Sequence, residues 1–261
     1  GLVVHTAGWP LDNATGGGSF MYHFGDNYVA LGFVVHLNYK NPWLSPFDEF
    51  QRWKQHPEVR KYLEGGKRIA YGARAISEGG LQSIPKLHFP GGVLLGDSAG
   101  FVNVPRIKGS HNAIKSGMLA AEAVYDKITN KYENSVAETE YDPSEPVYEA
   151  SEYEDSFKKS WVHKELYEIR NTHAAFSAGI AAGMIYTGFS TFISKGHEPW
   201  TFHNKVPDSD KTKKASECKP IEYPKPDGKI SFDLLSNLQR SGTNHNHDRP
   251  AHLRVKPELS H

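Results

Sequence analysis

The sequence has one cysteine, Cys218, in 261 residues. That excludes a disulfide framework, and it excludes an iron–sulfur cluster or structural zinc held by this chain's thiolates alone. There is no excess charge of either sign: 30 Lys plus Arg balance 30 Asp plus Glu. A general nucleic-acid binder, which needs a basic surface, is therefore not expected. Strongly apolar runs are also missing. Hydrophobic residues make up 38% of the chain, and the charge-free stretch Ala174–Ser194 is diluted by Gly179, Gly183, Gly188 and several Ser and Thr. A polytopic membrane protein is excluded. No Met and no charged leader open the sequence, which begins Gly1-Leu2-Val3-Val4 as a strand would. The expectation is a piece of a longer protein.

What is present reads as mixed α and β structure, in one large domain or two small ones. The 24 Gly and 16 Pro call for many tight turns. Alternation over Ser19–Tyr39, broken at Gly25-Asp26-Asn27, predicts a β-hairpin. Pro46–Gln55 and Pro57–Leu63 space their apolar residues as short helices, ended by Gly65-Gly66. Lys67–Ile76, Leu87–Gly96 and Lys229–Phe232 read as strands. Ser110–Ile128 is the clearest helix, with Ile114, Met118, Ala121 and Val124 on one face. Lys131–Glu152 is acidic, carries Pro143 and Pro146, and reads as a linker or surface loop. Tyr153–Asn171 returns to helical spacing. The run Ala174–Ser194 reads either as a buried Gly-rich helix or as a segment dipping into one leaflet. Lys195 and Trp200 behind it suit a membrane-surface anchor.

The chemistry-bearing stretch is Gly91 to Gly100 with Pro105, Gly109 and the helix behind. It reads as strand, acidic residue at the strand tip, small-residue loop, helix start. Asp97 can accept hydrogen bonds from sugar-like hydroxyls. The helix N-terminus offers free N–H groups and partial positive charge to an electron-rich ring. His245, His247 and His252 sit in a polar segment with no framework to fix them, so no metal site is assigned there.

This arrangement resembles the second FAD motif of the glutathione-reductase-like flavoproteins. Closer still, Glu64–Arg74, Gly80–Lys86, Asn103–Gly109, Ser156–Val162, Gly183–Gly188 and Ser241–His245 resemble electron transfer flavoprotein–ubiquinone oxidoreductase. The resemblance runs from Leu2 to about Leu253 and is weakest across Lys131–Glu152. It implies an α+β or α/β fold: a glutathione-reductase-like fragment with a β-sheet ubiquinone-binding part and a membrane-dipping helix. It implies a monotopic protein on the matrix side of the mitochondrial inner membrane, with FAD and, in the full-length protein, a [4Fe-4S] cluster. Electrons would pass from reduced electron transfer flavoprotein to ubiquinone. Carried over residue by residue, Gly96 and Asp97 would contact the ribityl chain. Gly109, Ser110, His111 and Asn112 would lie at the isoalloxazine ring, and Gly17 and Gly18 at a quinone oxygen. Ile180, Met184, Ile185, Phe189, Phe192 and Ile193 would enter the membrane.

The resemblance also divides the chain. Residues 1–90 would be the ubiquinone-binding part, 91–130 the second half of the FAD domain and 131–152 the linker. Residues 153–228 would anchor to the membrane, and 229–261 would connect to a cluster domain. The family's Gly-x-Gly-x-x-Gly loop and its four cluster cysteines are absent and are expected upstream and downstream. Two other readings stay open: a cluster-free quinone- or prenyl-reducing flavoprotein, and a cofactor-free membrane-surface binding module.

Overall fold

The computed structural model describes residues 1–133, 148–204, 206–251 and 253–256. Most of the acidic linker, and His252, lie outside them. The strands are β1 (Val3–Thr6), β2 (Gly17–Phe24), β3 (Tyr28–Val35), β4 (His88–Phe89) and β5 (Gly92–Val93). The helices are α1 (Pro46–Lys54), α2 (Pro57–Arg60), α3 (Ser110–Glu133), α4 (Glu152–Lys159), α5 (Trp161–Glu168), α6 (Thr172–Ala175), α7 (Ile180–Gly188) and α8 (Leu234–Leu238). The chain forms two units, 1–49 with 75–222, and 50–74 with 223–261. The boundary falls inside α1.

In the first unit β1, β2 and β3 form an antiparallel sheet, with Phe24 opposite Tyr28 across the expected turn. Gly25 takes φ +55° there, which a glycine adopts without steric cost. The hairpin is shorter than the sequence suggests, since β3 ends at Val35 rather than Tyr39. The core packs Leu87, Phe101, Leu119, Ala120 and Ala123 against Tyr153, Phe157, Val162 and Leu166. Phe101 and Phe157 stack with ring centroids 4.5 Å apart. Each such large apolar side chain contributes about 1.5–3 kcal/mol by leaving water. Burial pushes the Tyr153 phenol up to about 12.

Three expectations need correction. Lys67–Ile76 forms no strand: Ile69 and Ile76 face solvent, and no neighbouring strand pairs with the segment. Leu87–Gly96 supplies only the two-residue strands β4 and β5. Lys229–Phe232 is a turn, because the Asp227 carboxylate gathers the N–H groups of Lys229, Ile230 and Ser231 at 2.8–2.9 Å. The predicted apolar face of α3 is also not its core face. Ile114 (68% exposed), Met118 and Ala121 face outward, while Asn112, Ser116, Leu119, Ala120 and Ala123 are buried. Helical spacing marks a stripe but does not tell which of two stripes meets the core.

The run from Ala174 to Ser194 is not one helix. Gly179 (φ +102°) breaks it, α7 follows, and a wider turn, Phe189–Ser194, continues it until Lys195 in left-handed backbone. The segment then folds back on Arg170. This side chain is 5% exposed and donates to the carbonyls of Tyr167 (3.0 Å), Gly196 (2.8 Å), Glu198 (2.7 Å) and Trp200 (3.1 Å), and to Thr201 Oγ1 (3.0 Å). Its guanidinium also stacks on Tyr167, 4.1 Å from the ring centre. Gly196 (φ +75°) has no room for a Cβ against Glu168.

In the second unit Asp227 organises the turn, joined by Gln55 Nε2 at 2.9 Å. Phe232 donates its N–H to Gln51 Oε1 (2.9 Å), and Arg68 donates to Asn237 Oδ1 (2.8 Å).

Two outcomes follow from these hubs. Arg170→Ala strands several buried carbonyls and should cost about 3–5 kcal/mol in urea denaturation. Arg170→Lys should recover only part of that, because an ammonium cannot reach five acceptors in a fixed fork. Burial raises the Asp227 carboxyl, but the bonds from Gln55 and the three N–H groups outweigh it and hold it well below the usual range. A depressed folded pKa means its contribution is complete above about pH 4 and is lost as pH falls through the folded value. Unfolding titrations from pH 6 down to pH 2 should show that loss in wild type, and a flatter profile in Asp227→Asn.

Candidate functional site

Three features of the first unit bear on function. The first is the turn ahead of α3. Gly96 (φ +56°) opens a tight turn, and its N–H bonds Ser116 Oγ on α3 at 3.0 Å. A Cβ at Gly96 would sit 3.0 Å from Ala113, and one at Gly109 would sit 2.8 Å from Asp97 Oδ1. The glycines thus let the turn close onto the helix, and Gly96, Asp97 and Gly109 come together as the sequence predicts. Asp97 is exposed, and its carboxylate has no hydrogen-bond partner among the described residues. The first bond of α3 runs from the Ala113 N–H to the Gly109 carbonyl, at 2.8 Å. The N–H groups of Ser110, His111 and Asn112 precede it.

Beneath that helix start lies Glu165, which sequence reasoning passed over. Its Oε1 accepts from Asn103 Nδ2 (2.7 Å) and pairs with His111 Nε2 (2.9 Å), and Arg106 lies 3.4 Å from Oε2. Burial raises the Glu165 carboxyl, but the Asn103 and His111 bonds and the Arg106 charge overcome that and hold it below the ordinary range. A carboxylate at a helix N-terminus is favourable by roughly 0.3–1 kcal/mol. The His111 ring stacks on Trp161, 5.8 Å away and nearly parallel. Asn112 is fully buried: its Nδ2 donates to the Phe101 carbonyl at 2.8 Å, and its Oδ1 has no partner among the described residues. Glu165 was detectable as an acidic residue on the inward stripe of α5 between Val162 and Leu166. The helix start thus has Glu165 on its covered side and the exposed Ser110 on its open side.

The second feature is the glycine pair at the head of β2. Gly17 (φ +152°) pairs with Val35, and Gly18 with Val34. A Cβ at Gly17 would run into the Val34 carbonyl, and one at Gly18 would lie 2.6 Å from the Thr6 carbonyl. The sheet itself requires these glycines. A side chain there would test strand pairing before it tested any ligand. Gly16 abuts His36, whose Nε2 lies 2.9 Å from Glu78 Oε1. His173 lies in the same polar group. Its burial lowers its pKa, against the opposing pull of Asp208.

The third feature is the apolar surface of α7 and the turn after it. Ile185 (76%), Phe192 (80%), Ile193, Met184 and Phe189 are exposed; Ile180 is half-buried. Gly183 faces inward against Phe176. Among the described residues no helix is long and apolar enough to cross a membrane. Trp200 donates to the Tyr186 hydroxyl at 2.9 Å, which anchors the return segment to α7. The second and third features meet: the Ile180 N–H, at the head of α7, bonds the Asn13 carbonyl at 3.2 Å, in the loop leading to Gly17. The turn ahead of α3 is a separate patch, packed on α3 rather than on the sheet.

Comparison with known proteins agrees with the sequence reading. Residues 1–76, which contain the whole three-stranded sheet, match the family model described as ETF-QO, ubiquinone-binding. The electron transfer flavoprotein-ubiquinone oxidoreductase, mitochondrial, of Bos taurus is 59% identical over 262 residues, covering 99% of this chain and 41% of that protein. The Homo sapiens protein of that name is 57% identical with the same coverage. A probable member from Saccharomyces cerevisiae is 52% identical, covering 98% of this chain and 42% of its own length. The chain therefore spans about two fifths of the relatives it matches. Over that shared segment the chain is similar to the electron transfer flavoprotein-ubiquinone oxidoreductases, and its first 76 residues match their ubiquinone-binding family model.

Proposed function

We propose that this chain is the quinone-side and membrane-facing portion of an oxidoreductase that passes electrons from reduced electron transfer flavoprotein to ubiquinone. The observation that carries the reading is the Asn13–Ile180 bond. It ties the lead-in to the glycine pair, inside the segment matching a ubiquinone-binding domain, to the head of an exposed apolar helix. Ubiquinone is a lipid, so a site for it belongs where an apolar surface meets the protein. The 15 residues Ile180–Ser194, with Ile185, Phe192 and Ile193 outward, dip into one leaflet of the mitochondrial inner membrane from the matrix side. Lys195 and Trp200 sit at the headgroup level.

FAD fits the turn ahead of α3. Asp97 supplies an exposed, unengaged acceptor for the ribityl hydroxyls, and Gly96 and Gly109 keep the backbone close. The N–H groups of Ser110 to Asn112, which precede the first bond of α3, would donate to the flavin's electron-rich edge. Glu165 orients His111 and Asn103 and so fixes the helix start. When bound, FAD supplies the electron carriage. Quinone reduction also consumes protons, and beside Gly16 the His36 imidazole meets the Glu78 carboxylate, Nε2 to Oε1 at 2.9 Å, a pair of groups able to relay them. A [4Fe-4S] cluster does not fit these residues, because Cys218 is the single thiol and four ligands are needed. No step is assigned to it here.

The membrane reading has a clean test, because the two outermost side chains contribute little to the fold. Ile185→Asp and Phe192→Asp should each lower co-sedimentation with phosphatidylcholine liposomes at least about tenfold, since a charge in the apolar layer costs a few kcal/mol. Thermal unfolding should stay within a degree or two of wild type. Unchanged sedimentation with a lower Tm would make the segment part of the core.

The flavin reading predicts a similar split. Asp97→Ala in the full-length protein should lower bound FAD, read from its visible absorbance, while far-UV circular dichroism stays unchanged. Wild-type flavin content in that variant would remove Asp97 from the site.

A further inference from the structure

The second unit carries a concentration of positive charge that the flavin and quinone readings do not use. An open cleft of about 570 Å³ is lined by Arg60, Lys67, Arg68, Lys229 and Arg240, with Glu64 as its one carboxylate. Glu64 is already engaged, 2.8 Å from Arg60 Nε. Among the described residues the other four cations have no carboxylate within ion-pair distance.

The wall behind the cleft adds to the imbalance. The Arg68 guanidinium lies 4.0 Å over the Phe232 ring, and its Nε is buried without a partner. Lys54, only 6% exposed, sits 5.1 Å from the centre of that same ring. One aromatic ring therefore carries two cations. Burial and the Arg68 charge lower the Lys54 ammonium to about 8, against the pull of Asp227. Asp227 is itself committed to Gln55 and the N–H groups of Lys229, Ile230 and Ser231.

Lys54 and the Arg68 Nε are held out of water, the exposed Lys67, Lys229 and Arg240 add like charge beside them, and a bound counter-charge relieves both the burial and the repulsion. Four cations without a carboxylate partner among the described residues call for an anion with more than one charge, although Arg68 also donates to Asn237 Oδ1. A carboxylate would neutralise a single one, whereas a phosphate carries up to two charges and accepts from guanidinium forks and ammonium donors alike. Gly65 and Gly228 at the rim have nothing within 4 Å of their Cβ positions, so a ligand can approach the backbone there.

We propose that this cleft binds a phosphate-bearing anion, contacted by Lys67, Arg68, Lys229 and Arg240. A phospholipid headgroup and a soluble phosphate ester share this chemistry, and the experiment separates them. The 261-residue chain is titrated calorimetrically with inorganic phosphate, with glycerol phosphate and with polyglutamate, at ionic strength held constant with chloride. In parallel it is sedimented with phosphatidylcholine vesicles, with and without phosphatidylglycerol. The vesicle arm uses the Ile185→Asp background, so that the apolar surface of α7 does not contribute. Saturable binding of the soluble phosphates, or selective sedimentation with the anionic vesicles, is expected. Each should weaken at least tenfold in Lys67→Glu/Lys229→Glu. Both lysines are exposed, and the milder Lys67→Gln/Lys229→Gln should show an intermediate loss with unchanged circular dichroism. Soluble binding alone identifies an ester, and vesicle binding alone a headgroup. The proposal is overturned if neither probe binds, if the charge-reversed variant binds as wild type does, or if only polyglutamate binds. The last result would indicate an acidic protein surface instead. None of these outcomes depends on the flavin or quinone assignments.

Discussion

Arg170 is the interaction on which the functional half of the structure depends. A buried guanidinium is expensive unless every donor is used. Here they go to the carbonyls of Tyr167, Gly196, Glu198 and Trp200 and to the Thr201 hydroxyl. The chain leaving the apolar surface of α7 is thereby returned to the end of α5. Without that return, an exposed run of Ile, Met and Phe would have no fixed orientation. With it, Trp200 reaches the Tyr186 hydroxyl, and α7 presents one outward face. The fold keeps this face apolar because it is held from behind by polar bonds, and needs no apolar cover in front.

The same division of labour recurs at α3. Its covered stripe is built from small residues, Ser116, Ala120 and Ala123, which allow close packing against Tyr153 and Phe157. Its start is organised by the Glu165 carboxylate, which gathers Asn103 and His111. In the second unit Asp227 plays the corresponding part for the turn at Lys229–Ser231. Single buried or well-bonded charges thus fix the backbone at each functional edge, and apolar packing supplies the bulk of the stability.

Much of this was legible in the sequence, for identifiable reasons. The hairpin announced itself by alternation around Gly25-Asp26-Asn27. The helix α3 announced itself by length, and the cluster of Gly96, Asp97 and Gly109 by spacing together with the resemblance to a flavoprotein motif. Strand character over Lys67–Ile76 was misleading, since a strand-like run does not itself supply a partner strand. The face of α3 could not be decided because both of its stripes carry apolar residues. Hubs such as Arg170 and Glu165 were hidden for a different reason: their partners are mostly backbone carbonyls or residues some 50 to 60 positions away. No local motif records such bonds. The glycines at 17 and 18 were read as room for a ring, and the sheet shows a nearer cause in the carbonyls of Val34 and Thr6.

The link between the loop before β2 and the head of α7 joins one backbone group to another, the Ile180 N–H to the Asn13 carbonyl. Side-chain replacement at either residue leaves both atoms in place, except proline at 180, which would remove the donor. The exposed point is Gly179. Its φ of +102° is one that side chains rarely adopt, and a Cβ there would meet the Asn13 side-chain Nδ2 at 2.9 Å. The coupling of loop to helix therefore asks little of the side chains at the two residues that make it. It is concentrated on the neighbour that makes no bond across it.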